Sequence, residues 1–200
     1  NFRSSIGFDA INLTASGSPF DYDGFIAKIN SSGSVLWAES FGSATTDYSN
    51  GVAVDAFDNI WLTGITGTAS TFGSINLTGG GNNNVFIAKF NSSGTATYAF
   101  KTITGTSNES NGIDVDSNGN VYITGNYFNP ITFGPFTLNN TNFGTKYFIV
   151  KFNSNSNTFD WAIAPDYNQA FSPQAEGNSL VVSDDGELFV TGTFSGTLEF

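Results

Sequence analysis

A chain of 200 residues with a net charge of −11 and only six scattered lysines and arginines lacks the clustered basic surface that nucleic acid or an anionic membrane face requires. Cysteine, histidine and methionine are all absent, which removes disulfides, thiolate metal sites and the Cys-His and Ser-His nucleophile pairs. Mean hydropathy is −0.08 with 39% hydrophobic residues, enough apolar surface for a folded chain.

Charged residues make up 12% and aromatics 16%, with 21 phenylalanines. Gly, Ser, Thr and Asn supply the rest of the polar content. Threonine and aromatic side chains suit a pleated sheet, and Gly and Asn tolerate positive φ in tight turns. The good helix formers are scarce, so the class is all-β. No run approaches 18 apolar residues, and no signal peptide is present. An acidic, cysteine-free composition suits an exported bacterial protein, located outside the cell or at its surface, with any signal lying upstream of Asn1.

Along the chain the first marks are Phe8 and Leu13, whose meaning comes from later copies. The first expected strand is Phe25-Ile-Ala-Lys-Ile-Asn30, repeated as Phe86-Ile-Ala-Lys-Phe-Asn91 and Phe148-Ile-Val-Lys-Phe-Asn153. An aromatic and an alanine follow each, at Trp37-Ala38, Tyr98-Ala99 and Trp161-Ala162. A second block reads Gly51-Val-Ala-Val-Asp55 with Asn59-Ile-Trp-Leu-Thr-Gly64, then Gly112-Ile-Asp-Val-Asp116 with Asn120-Val-Tyr-Ile-Thr-Gly125. Its third copy is Ser179-Leu-Val-Val-Ser183 with Glu187-Leu-Phe-Val-Thr-Gly192. A phenylalanine comes eight residues past each Thr-Gly, at Phe72, Phe133 and Phe200, and Leu77 and Leu138 follow the first two. Phe8 and Leu13 hold the same places.

Such a period is an internal repeat of about 61–67 residues. Each period holds four strand-like runs, in the middle copy 51–55, 60–65, 86–91 and 95–100. Turns at Ala56-Phe-Asp-Asn59, Ser117-Asn-Gly-Asn120 and Asn91-Ser-Ser-Gly94 join them. Four antiparallel strands and a link describe a propeller blade, in which both faces of a strand can be apolar. Phe25, Ala27 and Ile29 are expected on one face of their strand, Ile26 on the other. The chain reads as one propeller segment, 1–200, with units at roughly 1–64, 65–125 and 126–192, and 193–200 beginning the next.

The combination of Phe-Ile-Ala-Lys-x-Asn-x-x-Gly, Trp-Ala, Gly-Val-Ala-Val-Asp and the x-x-x-Thr-Gly run resembles the bacterial SBBP repeat, named for a seven-bladed β-propeller. The resemblance covers nearly the whole chain. It implies exported, often multidomain bacterial proteins acting at or beyond the cell surface, and no shared catalytic residues. The third copy departs from it at Ser183, where the repeat has Asp, and residues 165–176 lengthen the loop before it. Propellers close with about four to eight blades, so three repeats predict part of a larger ring, and seven blades would need roughly 430 residues. The expected partners are the rest of a longer parent chain or neighbouring surface-protein subunits. No nucleic acid and no membrane insertion are expected.

Asp114-Val-Asp-Ser-Asn-Gly119 matches the opening of an EF-hand loop. Its twelfth position is Gly125 where calcium needs a bidentate Glu, so a hairpin turn is the favoured reading. Lys28, Lys89 and Lys151 could line a channel and bind an anion. In a sheet buried on both faces each is instead expected to meet a carboxylate such as Asp55 or Asp116, or carbonyls. Trp37, Trp61 and Trp161 could form a sugar platform, but their repeat positions accept any aromatic, which favours packing. Asp184-Asp185 belong to a turn, and Asp21 and Asp23, flanking Tyr22, are expected to face solvent. Sequons at Asn12, Asn30, Asn76, Asn91, Asn108 and Asn139 arise readily in such a composition.

No catalytic, cofactor or metal residues are therefore assigned, and no cofactor is expected. The expected function is a non-catalytic structural or adhesive module. Its alternative is a glycan-binding or polysaccharide-degrading propeller working through the variable stretches 1–23, 66–84 and 126–146.

Overall fold

The computed structural model describes residues 1–103, 107–141, 144–165 and 174–196, and all its regular elements there are strands. In chain order these are β1 (Ser5–Phe8), β2 (Ile11–Thr14), β3 (Gly24–Ile29), β4 (Val35–Gly42), β5 (Tyr48–Val54) and β6 (Ile60–Thr66). Then come β7 (Ser70–Phe72), β8 (Ile75–Leu77), β9 (Asn84–Phe90), β10 (Ala96–Lys101), β11 (Asn108–Val115) and β12 (Val121–Tyr127). The last six are β13 (Ile131–Phe133), β14 (Phe136–Leu138), β15 (Lys146–Asn153), β16 (Thr158–Ile163), β17 (Ala175–Val182) and β18 (Leu188–Phe194).

Two four-stranded antiparallel sheets, β5-β6-β9-β10 and β11-β12-β15-β16, are consecutive propeller blades. β3 and β4 are the third and fourth strands of the blade before them, and β17 and β18 the first and second of the blade after. The all-β propeller architecture is thus the one the repeat implies. In space, however, a blade begins at the strand after the unit's long inter-copy link, so the sheets run over 48–101 and 108–163.

The second strands of the two complete blades, β6 and β12, are almost wholly buried because sheets cover them on both sides. β6 is buried along its whole length, and β9 nearly so. Burying Val85, Phe86, Ile87 and Ala88 together stabilises the blade by the transfer of both strand faces from water. β3 departs from this expectation. Ile26 is buried, but Phe25 and Ala27 are only half-buried and Ile29 is exposed.

The stretch between second and third strands, expected as a loop, contains a further hairpin in every copy: β1–β2, β7–β8 and β13–β14. Each has a two-residue turn whose first position has positive φ, filled by Asp9, Gly73 and Gly134. The phenylalanine before that turn packs on the first phenylalanine of the next strand, as Phe8 on Phe25, Phe72 on Phe86 and Phe133 on Phe148. β7 also pairs with β4 through Phe41↔Phe72, so this hairpin fastens one blade to its predecessor.

Every first strand carries a β-bulge where it crosses the Thr-Gly of the second, with shifts between Ser49 and Gly51, Ser110 and Gly112, and Gly177 and Ser179. The extra residue is Asn50, Asn111 or Asn178. A bulge re-aims a side chain: Asn50 Nδ2 donates to the Ser110 carbonyl and Asn111 Nδ2 to that of Gly177, both at 3.0 Å. The first strands of successive blades are laced together by these amides.

Candidate functional site

Each blade has two unlike ends. At the turn end, the hairpin closed by Asp55 and Asn59 holds three residues with Asp58 at φ +61°, and the one closed by Asp116 and Asn120 has Gly119 at +81°. The aspartate is the organiser. Asp55 accepts from the amides of Phe57 and Asn59, from Asn59 Nδ2, and from Trp61 Nε1 at 3.2 Å. Asp116 does the same with Asn118, Asn120 and the Tyr122 hydroxyl at 3.1 Å. Ser183 and Phe189 replace this pair in the third copy, and Ser183 Oγ accepts from the Glu187 amide.

Burial raises the Asp55 carboxyl, but donors from Asn59, Trp61 and Phe57 outweigh it and hold the pKa below its ordinary 3.8. The resulting stabilisation is fully present above pH 3.8 and is lost as pH falls through the lower folded value. Asp55→Ala is expected to cost about 2 kcal/mol at pH 7, because buried Trp61 Nε1 and two turn amides lose their acceptor. Urea titrations of both proteins should converge as pH falls below 3.8; a gap unchanged in acid would refute the account.

Two lysines find the expected kinds of partner, a carboxylate for Lys151 and a carbonyl for Lys28, but Asp55 and Asp116 are not among the partners. Lys89 lies over the Trp61 ring at 5.1 Å, Lys151 pairs with Asp160 at 3.4 Å, and Lys28 reaches the Ser92 carbonyl at 3.5 Å. Asp55 and Asp116 are instead filled by their own turns. Of the EF-hand-like residues, Asp116 accepts turn amides while Asp114 Oδ2 takes the Val182 amide of β17 at 2.8 Å, so the two carboxylates serve different contacts. The tryptophans pack as the repeat suggested. Trp61 is fully buried, and Trp37 donates Nε1 to Ser92 of the next blade at 3.0 Å. Tyr98 holds the equivalent place against Phe152 of the next blade, and burial pushes its phenol up to about 12.

At the loop end lie the variable stretches. Asp23, expected in solvent, is buried because the segment before β3 folds back: Phe2 pairs with it, and Ser16 donates to it by amide and hydroxyl. Asp184 and Asp185 are exposed in the β17–β18 turn. Asp47 and Lys101 are buried groups that the repeat could not reveal, since Asn108 and Ala175 stand where Asp47 does. Asp47 accepts from the Ser43 amide and hydroxyl, the Thr66 hydroxyl and the Gly67 amide. Lys101 Nζ donates to the Gly67 and Thr68 carbonyls. Asn84 Nδ2 binds the carbonyls of Thr66, Gly67 and Gly81. Burial raises Asp47 and lowers Lys101, the latter opposed by the Asp47 charge. Both groups are spent in tying the 66–84 stretch to its blade and to the preceding link.

Beside this network, the two complete blades leave an open cleft of about 530 Å³. Tyr48, Ile65 and Phe128 give it apolar walls, and Asn83, Glu109 and Asn126 supply polar groups. Tyr48 leans on Tyr22 at 5.8 Å, over which Arg3 sits at 3.9 Å. Phe128 is exposed. Tyr48 and Glu109 come from first-strand starts, Ile65 and Asn126 from second-strand ends, and Asn83 and Phe128 from the variable stretches, so sheets and loops build the cleft together. No group of three or more acidic side chains able to hold a metal ion occurs among the described residues. No helix among them is long and apolar enough to cross a membrane.

No protein-family model matches the chain. It is 27% identical over 209 aligned positions to an uncharacterized WD repeat-containing protein of Acanthamoeba polyphaga mimivirus, an alignment covering 86% of this chain and 14% of that protein. The similarity agrees with a β-propeller-like repeat. It is to a viral protein rather than a bacterial one, so the SBBP resemblance rests on the quoted motifs alone.

Proposed function

We propose that the chain is a non-catalytic interaction module, a propeller segment that presents its loop end to a protein partner. The observation carrying this is the division of labour between the two ends. The repeated polar residues (Asp55, Asp116, Asn50, Asn111) are consumed in turns and blade-to-blade bonds. The residues that differ between copies gather around an open cleft with an exposed Phe128. Exposed aromatics at the mouth of a cleft are the anchors that protein interfaces use. The acidic, cysteine-free composition supports work outside the cell or at its surface, as a structural or adhesive element.

A second reading draws on the same cleft. Tyr48 and Phe128 beside the Asn83 and Asn126 amides and the Glu109 carboxylate are the groups that stack and hydrogen-bond a sugar ring. The two separate in one experiment. A photo-crosslinker at Phe128 is expected to capture a defined protein partner, and Phe128→Ser to weaken its binding roughly tenfold or more while leaving thermal unfolding unchanged. Saturable binding to one saccharide on a glycan array, abolished by Phe128→Ser, would replace the protein-partner reading with the glycan one.

A further inference from the structure

The tripeptide Ser-Asn-Gly occurs three times, with its asparagine at Asn50, Asn111 and Asn118. In an unfolded chain the three copies share one weakness. Glycine has no side chain to shield its backbone nitrogen, so that nitrogen can reach the Cγ of the asparagine before it and close a five-membered ring. A folded protein permits this only where the asparagine side chain can turn and the glycine nitrogen can leave its own hydrogen bond. The fold places the three copies in two opposite situations.

The two bulge asparagines are locked. Asn50 Nδ2 is held by the Ser110 carbonyl, and Asn111 Nδ2 by the Gly177 carbonyl and by Asn126 Oδ1 at 3.1 Å. Their glycines sit within the ladder, Gly51 opposite Thr63 and Gly112 opposite Thr124. The next blade presses on both. A Cβ on Gly51 would stand 2.9 Å from Ile113 Cγ2, and one on Gly112 would stand 2.8 Å from the Ser179 Cα. Freeing either glycine nitrogen means lifting one sheet off another.

Asn118 is different. It is exposed at the tip of the β11–β12 turn, and its side-chain amide has no hydrogen-bond partner among the described residues. Gly119 adopts φ +81° and donates its N–H to the Asp116 carbonyl at 2.9 Å. Gly119 is itself covered, but its nearest neighbour in the Cβ direction is the tip of a side chain, Ser154 Oγ at 3.2 Å, which can swing away. Fraying of a hairpin tip releases its bond at much lower free energy than separation of packed sheets.

We propose that Asn118 is a site of spontaneous covalent modification, set apart from its two sequence twins by the fold. The Gly119 nitrogen bonds to Asn118 Cγ, the Cγ–Nδ2 bond breaks, and Nδ2 leaves as ammonia with the proton that Gly119 gives up. Water then opens the cyclic imide. Cleavage at Cγ leaves aspartate, and cleavage at the main-chain carbonyl carbon leaves isoaspartate, with the backbone rerouted through the side chain. Either product adds a negative charge beside Asp116. The turn accommodates aspartate here, since the third copy has Asp185-Gly186 at this place with the same Gly186 N–H to Ser183 carbonyl bond. Isoaspartate lengthens the backbone between the Asn118 and Asn120 amides, which Asp116 Oδ1 accepts at 2.9 and 2.8 Å, and so loosens the turn.

The twins make the test internal to one protein. The full chain is incubated in mildly alkaline buffer, and each asparagine is followed by peptide mapping with mass spectrometry. Asn118 is expected to convert at least about tenfold faster than Asn50 or Asn111 in the folded chain. In concentrated urea the three rates should converge, because each tripeptide is then alike. Asn118→Gln, whose ring would need six members, should fold normally and lose the fast phase of ammonia release. Equal rates for the three asparagines in the folded chain would overturn the proposal. So would a lead for Asn118 that urea leaves unchanged, or a fast phase that survives Asn118→Gln.

Discussion

Phe72→Ala is expected to destabilise the protein by about 3–5 kcal/mol, the range for deleting a buried aromatic that its surroundings cannot close over. The ring is fully buried, stacked on Phe41 at 4.9 Å and tilted against Phe86 at the same distance. Phe41 belongs to one blade and Phe86 to the next, so the vacated volume lies at a seam between two sheets. Neither sheet can move in without losing its own ladder. Hydrogen exchange should show the loss concentrated in β4, β7 and β9, with β11 to β16 less affected, since repeat arrays couple mainly to nearest neighbours. A loss below about 1 kcal/mol would mean that the inserted hairpin is not what joins the blades.

Gly64→Ala should cost about 3 kcal/mol, at the upper end for overpacking. A Cβ there would stand 1.9 Å from the Tyr48 carbonyl oxygen, and backbone cannot yield as a side-chain tip can. The other copies repeat the crowding: Gly125 would meet the Glu109 oxygen at 2.0 Å and Gly192 that of Glu176 at 2.1 Å. The bulge is the reason, because it presses the first strand onto the second at this point. Gly33→Ala is the control. It has open space and φ +87°, so it should cost only about 1 kcal/mol from left-handed backbone strain. Equal losses for the two substitutions, read as urea midpoints at constant slope, would remove the steric explanation.

Much of the architecture is legible in the sequence because its causes are local and repeated. Phe-Ile-Ala-Lys and Asn-x-x-x-Thr-Gly recur at a fixed distance, and their apolar residues can be buried only when sheets cover both faces. The turns are legible for the same reason, but the role of their aspartates is not: Asp55 and Asp116 are expected beside lysines and are instead filled by their own turn amides. The hairpin phenylalanines, Phe8, Phe72 and Phe133, are visible as a period, and the turn-forming residue after each, Asp9, Gly73 or Gly134, is the available signal for β1–β2, β7–β8 and β13–β14.

The candidate cleft was much less legible. It is built from residues that differ between copies, such as Tyr48, Glu109, Asn126 and Phe128, and a repeat brings out only what recurs. Asp47 and Lys101 were hidden likewise, and Asp23 was misplaced as a solvent-facing acid. A chain segment returns over it, and nothing in Asp21-Tyr-Asp23 announces Phe2 and Ser16 as neighbours.

The sequence by itself determined the strand content, the period and the turn chemistry, because each follows from side chains near one another along the chain. Tertiary structure alone decided which lysine meets which ring, which asparagine reaches the neighbouring blade, and which Thr-Gly strand lies buried and which open. Those outcomes depend on the next blade being present to exclude water, and a strand does not encode its own neighbour. β6 and β18 share the Thr-Gly motif, yet among the described residues β6 is buried along its whole length and β18 is largely exposed.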